Sequence, residues 1–209
     1  MKPDSPVARE WAIYEFASSF VLGVHGCDAS VGEAILAGEI RHLRPSKNDY
    51  DWLGSGVYFW EGNPARALQF ARERAEGGKS SRGTVTRPFV LGAVINLHHC
   101  LDLADSSAIV QVKRAYEALK NVLDTAGRIL PTNGAGLKAR RLDCAVFNWL
   151  HQIQDEEGYP AYDTVRGLFW EGAEIYPGAG VREANHIQIC VRNLDCILGY
   201  FRPIAPTQG

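Results

Sequence analysis

The sequence predicts an α+β fold. Short apolar runs bordered by glycine, clearest at 20–24 and 56–60, are typical of buried strands. Apolar residues at helical spacing in 106–126 predict an amphipathic helix. Strands and helices follow one another without strict β–α–β alternation, which favours α+β over a doubly wound parallel sheet.

Local signals predict each element in turn. Ser30 is the predicted N-cap of a first helix, with Glu33 at the reciprocal capping position and Gly38 at the end. Asn63-Pro64 supplies an N-cap and a first-turn proline for a second helix. The remaining predicted elements are strand 84–97, helices 106–126 and 137–154, and strands 165–169, 186–191 and 196–201.

Composition narrows the class of protein. The 209 residues include 22 Lys+Arg and 24 Asp+Glu, and this near-neutral balance argues against a protein that coats nucleic acid by bulk charge. The five cysteines form no CxxC pair, which favours reduced thiols and a cytoplasmic location. No signal peptide, membrane contact or metal site is predicted. We expect one domain, 1–209, with a helical insertion at about 100–160.

Two short motifs and one late strand carry the candidate chemistry. His25-Gly26 ends the first strand, Gly56-Val57-Tyr58-Phe59 forms the second, and Gln188 lies in the strand at 186–191. Taken singly, His25 also fits a core histidine and Tyr58 a sheet aromatic.

Together, these segments resemble the ADP-ribosyltransferase superfamily, on the branch of diphtheria toxin and the poly(ADP-ribose) polymerases. That branch carries His-Gly, then Gly-x-Tyr-Phe, then a glutamate that opens a late strand. The resemblance covers about 20–75, 88–96 and 165–201. It implies two packed, mostly antiparallel sheets around an NAD cleft, with NAD as co-substrate and no metal.

The resemblance also implies roles for individual residues. In the family, the histidine bonds a ribose hydroxyl, the glycine backbone bonds the nicotinamide amide, and the tyrosine stacks on nicotinamide. These roles fall to His25, Gly26 and Tyr58. Phe70 is the candidate second stacking ring, although it fits a helix core equally well, and Ala67 lies where relatives often place a serine.

The loop at 44–53 corresponds to the family's donor loop over the adenosine. Arg44 or Lys47 is the candidate for the pyrophosphate, and Tyr50 or Trp52 the candidate for covering adenine. A solvated loop with two aromatics against the core is the alternative.

Cys27, which follows the first motif, and Gly56, which opens the second, complete the predicted NAD-binding set. Cys27 and His25 share a strand face, so a Cys-His hydrolase is a remote alternative that lacks a third, orienting group.

Gln188 departs from the family pattern. The family glutamate bonds the 2′-hydroxyl and stabilises positive charge on the ribose, and losing such an interaction typically costs about 10²–10³ in rate. Glu171 and Glu183 are candidates to supply the carboxylate; otherwise the acceptor has to be a strong nucleophile. His186 stands where arginine-modifying relatives carry glutamate, so an arginine acceptor is not supported. Without the glutamate, single ADP-ribose transfer is expected rather than polymer synthesis.

The expected function is NAD-dependent mono-ADP-ribosyl transfer onto a protein, RNA or DNA acceptor. By analogy alone, the small size suits an intracellular toxin or phage-defence effector, with an antitoxin protein as a further partner. The alternatives are an RNA 2′-phosphotransferase, an NAD glycohydrolase, and an inactive module that binds NAD or ADP-ribose.

Overall fold

The computed structural model describes residues 20–77, 85–135 and 139–204. Within these ranges lie seven strands and four α-helices. The strands are β1 (Phe20–Asp28), β2 (Val57–Glu61), β3 (Pro88–Asn96), β4 (Cys100–Asp102), β5 (Thr164–Phe169), β6 (His186–Val191) and β7 (Ile197–Phe201). The helices are α1 (Ala29–Leu36), α2 (Pro64–Glu76), α3 (Ser106–Thr125) and α4 (Arg141–Glu157). None of these helices is long and apolar enough to span a membrane.

The described strands form one mixed sheet in the order β4-β5-β6-β2-β1-β3-β7. Every neighbouring pair is antiparallel except β4 and β5, which are parallel. The expected α+β class is therefore confirmed. The expectation of two separate packed sheets is wrong for the described strands, because β2 pairs with β1 on one edge and with β6 on the other and so joins both halves.

The ladder between β1 and β2 is short. Its register ends with Val24 opposite Trp60, whereas β1 stays paired with β3 as far as Asp28. Just past Val24, the Nδ1–H of His25 donates to the Tyr58 carbonyl over 2.7 Å, so a side chain bonds the neighbouring strand there. We call this place the β1–β2 opening.

Strand register assigns the side chains to two faces. Trp60 is the register partner of both Val24 and Gln188, so these three share one face, which we call the Gln188 face. The opposite face carries Phe59 and its core, which packs against α1. On the Gln188 face, α2 covers β1 and β3, and a second core forms with α3 and α4.

The start of α1 corrects one expectation. The N-cap is Asp28, whose carboxylate accepts from the backbone N–H of Ser30 over 2.9 Å. Ser30 is therefore not the cap. Glu33 forms an ion pair with Arg202 and does not take the reciprocal capping role that was expected of it. Asp28 takes the capping position because its second oxygen also accepts from the N–H of Thr86, which lies far along the chain.

Other helix signals hold. Asn63 caps α2 by accepting from the N–H of Arg66 over 3.0 Å, and Pro64 occupies the first turn, as expected. The helix expected at 106–126 is confirmed as α3. The helix expected at 137–154 begins at Arg141 in the structure; its first two predicted residues, 137–138, lie outside the described residues.

Candidate functional site

The three motif-bearing segments lie on neighbouring strands. His25-Gly26 is on β1, Tyr58 is on β2, and Gln188 is on β6, and these strands are adjacent in the order β6-β2-β1. Gly56 immediately precedes β2 and fits tightly there, because a Cβ at this position would lie 2.5 Å from the Cys190 sulfur. Segments far apart in the chain are thus assembled at the centre of the sheet.

The three predicted catalytic side chains do not share a face. The His25 ring packs edge-on against Phe59, with 5.9 Å between ring centroids, and so lies on the opposite face from Tyr58 and Gln188. The bond from His25 Nδ1–H to the Tyr58 carbonyl leaves Nε2 as the acceptor nitrogen of the ring. His25 therefore borders the β1–β2 opening from the Phe59 face.

Tyr58 fastens the turn that precedes its strand. Its hydroxyl donates to the Gly54 carbonyl over 2.7 Å and accepts from the Leu53 N–H over 3.0 Å. Burial raises the pKa of Tyr58 well above its ordinary value, so the hydroxyl is neutral. Gly54 has a φ of +81°, a conformation that favours glycine. The Leu53-Gly54 and Tyr58 parts of the motif thus depend on one another structurally.

Gly26, Cys27 and Ala67 serve packing in this structure. A Cβ at Gly26 would lie 2.1 Å from the Ala67 carbonyl oxygen, so the glycine lets α2 pack directly on β1. Ala67 is fully buried in this contact. Cys27 is buried on the Phe59 face, and burial raises its pKa to about 12. Its thiol is therefore protonated at neutral pH, which weighs against the Cys-His hydrolase.

Gln188 is held by a residue from the loop at 44–53. The indole N–H of Trp52 donates to Gln188 Oε1 over 2.6 Å. Gly167, the register partner of Gln188 on β5, makes room for the indole, since a Cβ there would lie 2.7 Å from Trp52 Cη2. An indole N–H only donates, so the amide oxygen is the atom that meets it and the amide NH₂ is the donor end of the side chain.

Aromatic rings surround Gln188 on the same face. We call Trp52, Trp60, Phe70, Phe169 and His186 the aromatic cluster. Trp52 and Phe169 lie 4.8 Å apart between centroids, Phe169 stacks on His186 at 5.0 Å, and Trp60 contacts Phe70 at 5.1 Å. Trp60, Phe169 and His186 were not among the predicted site residues. The strand register brings Trp60 and Phe169 to the Gln188 face, and His186 shares that face because it lies two residues before Gln188 on β6.

Two arginines bring positive charge to the aromatic cluster. The Arg140 guanidinium lies 4.2 Å from the Phe169 ring centroid and 5.2 Å from that of Trp52. Arg66 lies 5.7 Å from the Trp60 centroid. These distances are typical of cation–π contacts.

The two candidate carboxylates differ in position. Glu171 accepts from Arg66 Nη2 over 2.7 Å, and because Arg66 lies over Trp60, Glu171 sits at the border of the aromatic cluster. Glu183 is exposed, and its backbone N–H donates to the Ala173 carbonyl. The structure therefore brings Glu171, rather than Glu183, to the site.

The loop at 44–53 is fastened to α4. Arg141 Nε donates to the Asp49 carboxylate over 3.1 Å. Arg44, Lys47 and Tyr50 are exposed in this loop. Of the four loop candidates, Trp52 is the one that the structure places against Gln188.

No protein-family model, curated protein or solved structure matches this chain. A shallow depression of about 360 Å³, lined in part by His42 and Tyr200, lies along β7 at the far edge of the sheet. Because β7 is four strands away from β6, this depression is separate from the Gln188 face.

Proposed function

We propose that this protein is an NAD-dependent mono-ADP-ribosyltransferase that modifies a macromolecular acceptor. One observation carries the proposal: His25-Gly26, Tyr58 and Gln188, the positions on which the family resemblance depends, lie on the adjacent strands β1, β2 and β6. Nothing in their spacing along the chain requires these strands to be neighbours.

The residues around this centre have the chemical groups that binding of NAD would require. The ring faces of the aromatic cluster match the nicotinamide and adenine rings. Arg66 and Arg140 supply positive charge for the pyrophosphate. His25 borders the β1–β2 opening on one face of the sheet, and the Gln188 amide lies on the other face.

The proposed reaction breaks the C1′–N bond between ribose and nicotinamide. Nicotinamide leaves with the bonding electrons, positive charge develops on the ribose, and the acceptor forms the new bond to C1′. The Gln188 NH₂ donates to a ribose oxygen and so orients the sugar. Glu171, at the border of the aromatic cluster, stabilises the developing positive charge, although its pairing with Arg66 weakens that effect.

The test measures nicotinamide released from NAD, with and without cell extract. Labelled NAD in extract, followed by nuclease or protease digestion, identifies the acceptor class. Gln188→Ala is expected to lower the release rate by about 10²–10³. Gln152→Ala is the matched control, since Gln152 is an exposed glutamine on α4. Absence of release from the wild-type protein under both conditions refutes the proposal.

One observation favours a second candidate, an NAD or ADP-ribose binding module without turnover. Position 188 carries an amide whose oxygen is already bonded to Trp52, and no carboxylate stands in its place. Calorimetry separates the two functions: the module binds NAD with a measurable Kd and releases no nicotinamide.

A further inference from the structure

His186 lies beside Gln188 on the same face of β6, two residues before it. The imidazole is 5% exposed. It is flanked by Phe169, stacked at 5.0 Å with an interplanar angle of 28°, and by Trp60, at 6.2 Å. These two rings fix the imidazole at the centre of the aromatic cluster.

One hydrogen bond sets the tautomer of this histidine. Its Nδ1 lies 2.7 Å from the Ala184 carbonyl oxygen, which only accepts, so the proton is on Nδ1 and Nε2 carries a lone pair. Burial lowers the pKa of His186 below its ordinary value. Of the charged groups that face it, Arg66 lowers the pKa as well and Glu171 raises it. The ring is therefore neutral at pH 7.

The Nε2 atom is buried and has no hydrogen-bond partner in the described part of the chain. A buried acceptor without a partner is destabilising, because it has lost its hydrogen bonds to water. A neutral imidazole with an unused lone pair is also the group most often found as a general base in enzymes. The half-buried Phe169 ring stacks on the imidazole.

We propose that His186 is the general base of the site and that the group it serves is an uncharged hydroxyl on the acceptor. This inference rests on the proposed function and names its acceptor chemistry. Arg66 pairs with Glu171 and Arg140 with Asp143, so these carboxylates are already neutralised, which favours an uncharged acceptor over a cation such as lysine or arginine.

The step balances with this one residue. The acceptor oxygen forms a bond to C1′ of the ribose while the C1′–N bond breaks and nicotinamide leaves. The hydroxyl proton passes to His186 Nε2, which becomes an imidazolium and later returns the proton to water. No oxidant, reductant or metal is needed.

The experiment follows ADP-ribosyl transfer and nicotinamide release between pH 5 and pH 8. In the wild type, transfer is expected to fall as the pH drops through the His186 pKa, below 6.5, because protonated Nε2 accepts no proton. His186→Gln is expected to lower transfer by about 10²–10⁴ and to abolish this acid limb, while the Kd for NAD changes little. His42→Gln is the matched control, because burial also lowers the pKa of His42, which lies near β7. It should keep the wild-type profile.

Separate outcomes test the two proposals. If wild-type protein releases no nicotinamide, the proposed function fails and this inference fails with it. If release occurs and His186→Gln retains both the transfer rate and the acid limb, only the role of His186 is overturned. A linkage cleaved by neutral hydroxylamine, as expected of a carboxylate ester, also overturns it, since a carboxylate has no proton to remove. Should His186→Gln not fold, ¹⁵N-histidine NMR of the wild type decides: a proton on Nε2 at pH 7 refutes the assignment.

Discussion

Replacing His151 with leucine is expected to remove much of the acid sensitivity of the fold. His151 is 3% exposed on α4, and burial, aided by the Arg192 cation, lowers its pKa from 6.5 to about 3. Below pH 6.5 the His151 side chain is protonated in the unfolded chain and stays neutral in the folded chain. The free energy of unfolding therefore falls as the pH falls. The loss is about 1.4 kcal/mol per pH unit. Between pH 6.5 and pH 4.5 this amounts to about 2.3 kcal/mol, because the slope is only half of its full value at pH 6.5, and it is a large part of a total that is typically about 5–15 kcal/mol.

Urea unfolding at pH 7 and pH 4.5, followed by tryptophan fluorescence, measures this effect. The stability lost between the two conditions should be about 2–3 kcal/mol smaller in His151→Leu than in the wild type. His42 and His186, whose pKa values are also lowered, are present in both proteins, so the difference isolates His151. Equal losses in the two proteins would refute the assignment of a buried, neutral His151.

Three further predictions concern single contacts. Gly26→Ala places a Cβ 2.1 Å from the Ala67 carbonyl oxygen and should destabilise the fold by about 2–4 kcal/mol in chemical unfolding; an unchanged midpoint contradicts this. Asn63→Ala removes the side chain that caps α2 and should lower the free energy of unfolding by about 1 kcal/mol in the same assay. An effect smaller than that of an alanine substitution at an exposed site would argue against the cap. Trp52→Phe keeps a ring but loses the N–H that bonds Gln188. On the proposed function, calorimetry should show NAD bound about fivefold more weakly, and equal affinity would reject a role of this contact in binding.

Elements with a strong local signal could be predicted from the sequence. The apolar run at 56–60, the Asn63-Pro64 pair and the helical spacing at 106–126 depend on residues within one element, and the structure has β2, α2 and α3 there. The N-cap of α1 could not be predicted in this way. Asp28 wins over Ser30 because Thr86, on a distant segment, bonds the second oxygen of its carboxylate.

Trp60 and Phe169 could not be predicted as members of the aromatic cluster for the same reason, whereas Trp52 and Phe70 were already candidate site residues. Phe169 and His186 are register partners on β5 and β6, and Trp60 is the register partner of Gln188 on β2. Each of these residues reads locally as a sheet aromatic or a core histidine. Which strands pair, and in which register, is decided by the packing of the whole sheet, so the sequence predicted the strands without predicting their shared face.

The structure changes the meaning of the glutamine at position 188. By the family resemblance, Gln188 stands where a glutamate is expected and lacks its negative charge. In the fold, the Trp52 N–H donates to the amide oxygen of Gln188. The other end of this side chain is an NH₂ group, which can only donate. A glutamate held by the same indole would leave a second acceptor there, and the ligand atom it faces would have to donate. Gln188→Glu is therefore expected to reverse the hydrogen-bond polarity of the site rather than to complete it. On the proposed function, Gln188 then orients the sugar and the Nε2 lone pair of His186 takes the proton. The two tasks are thus divided between residues that are neighbours on one face of β6.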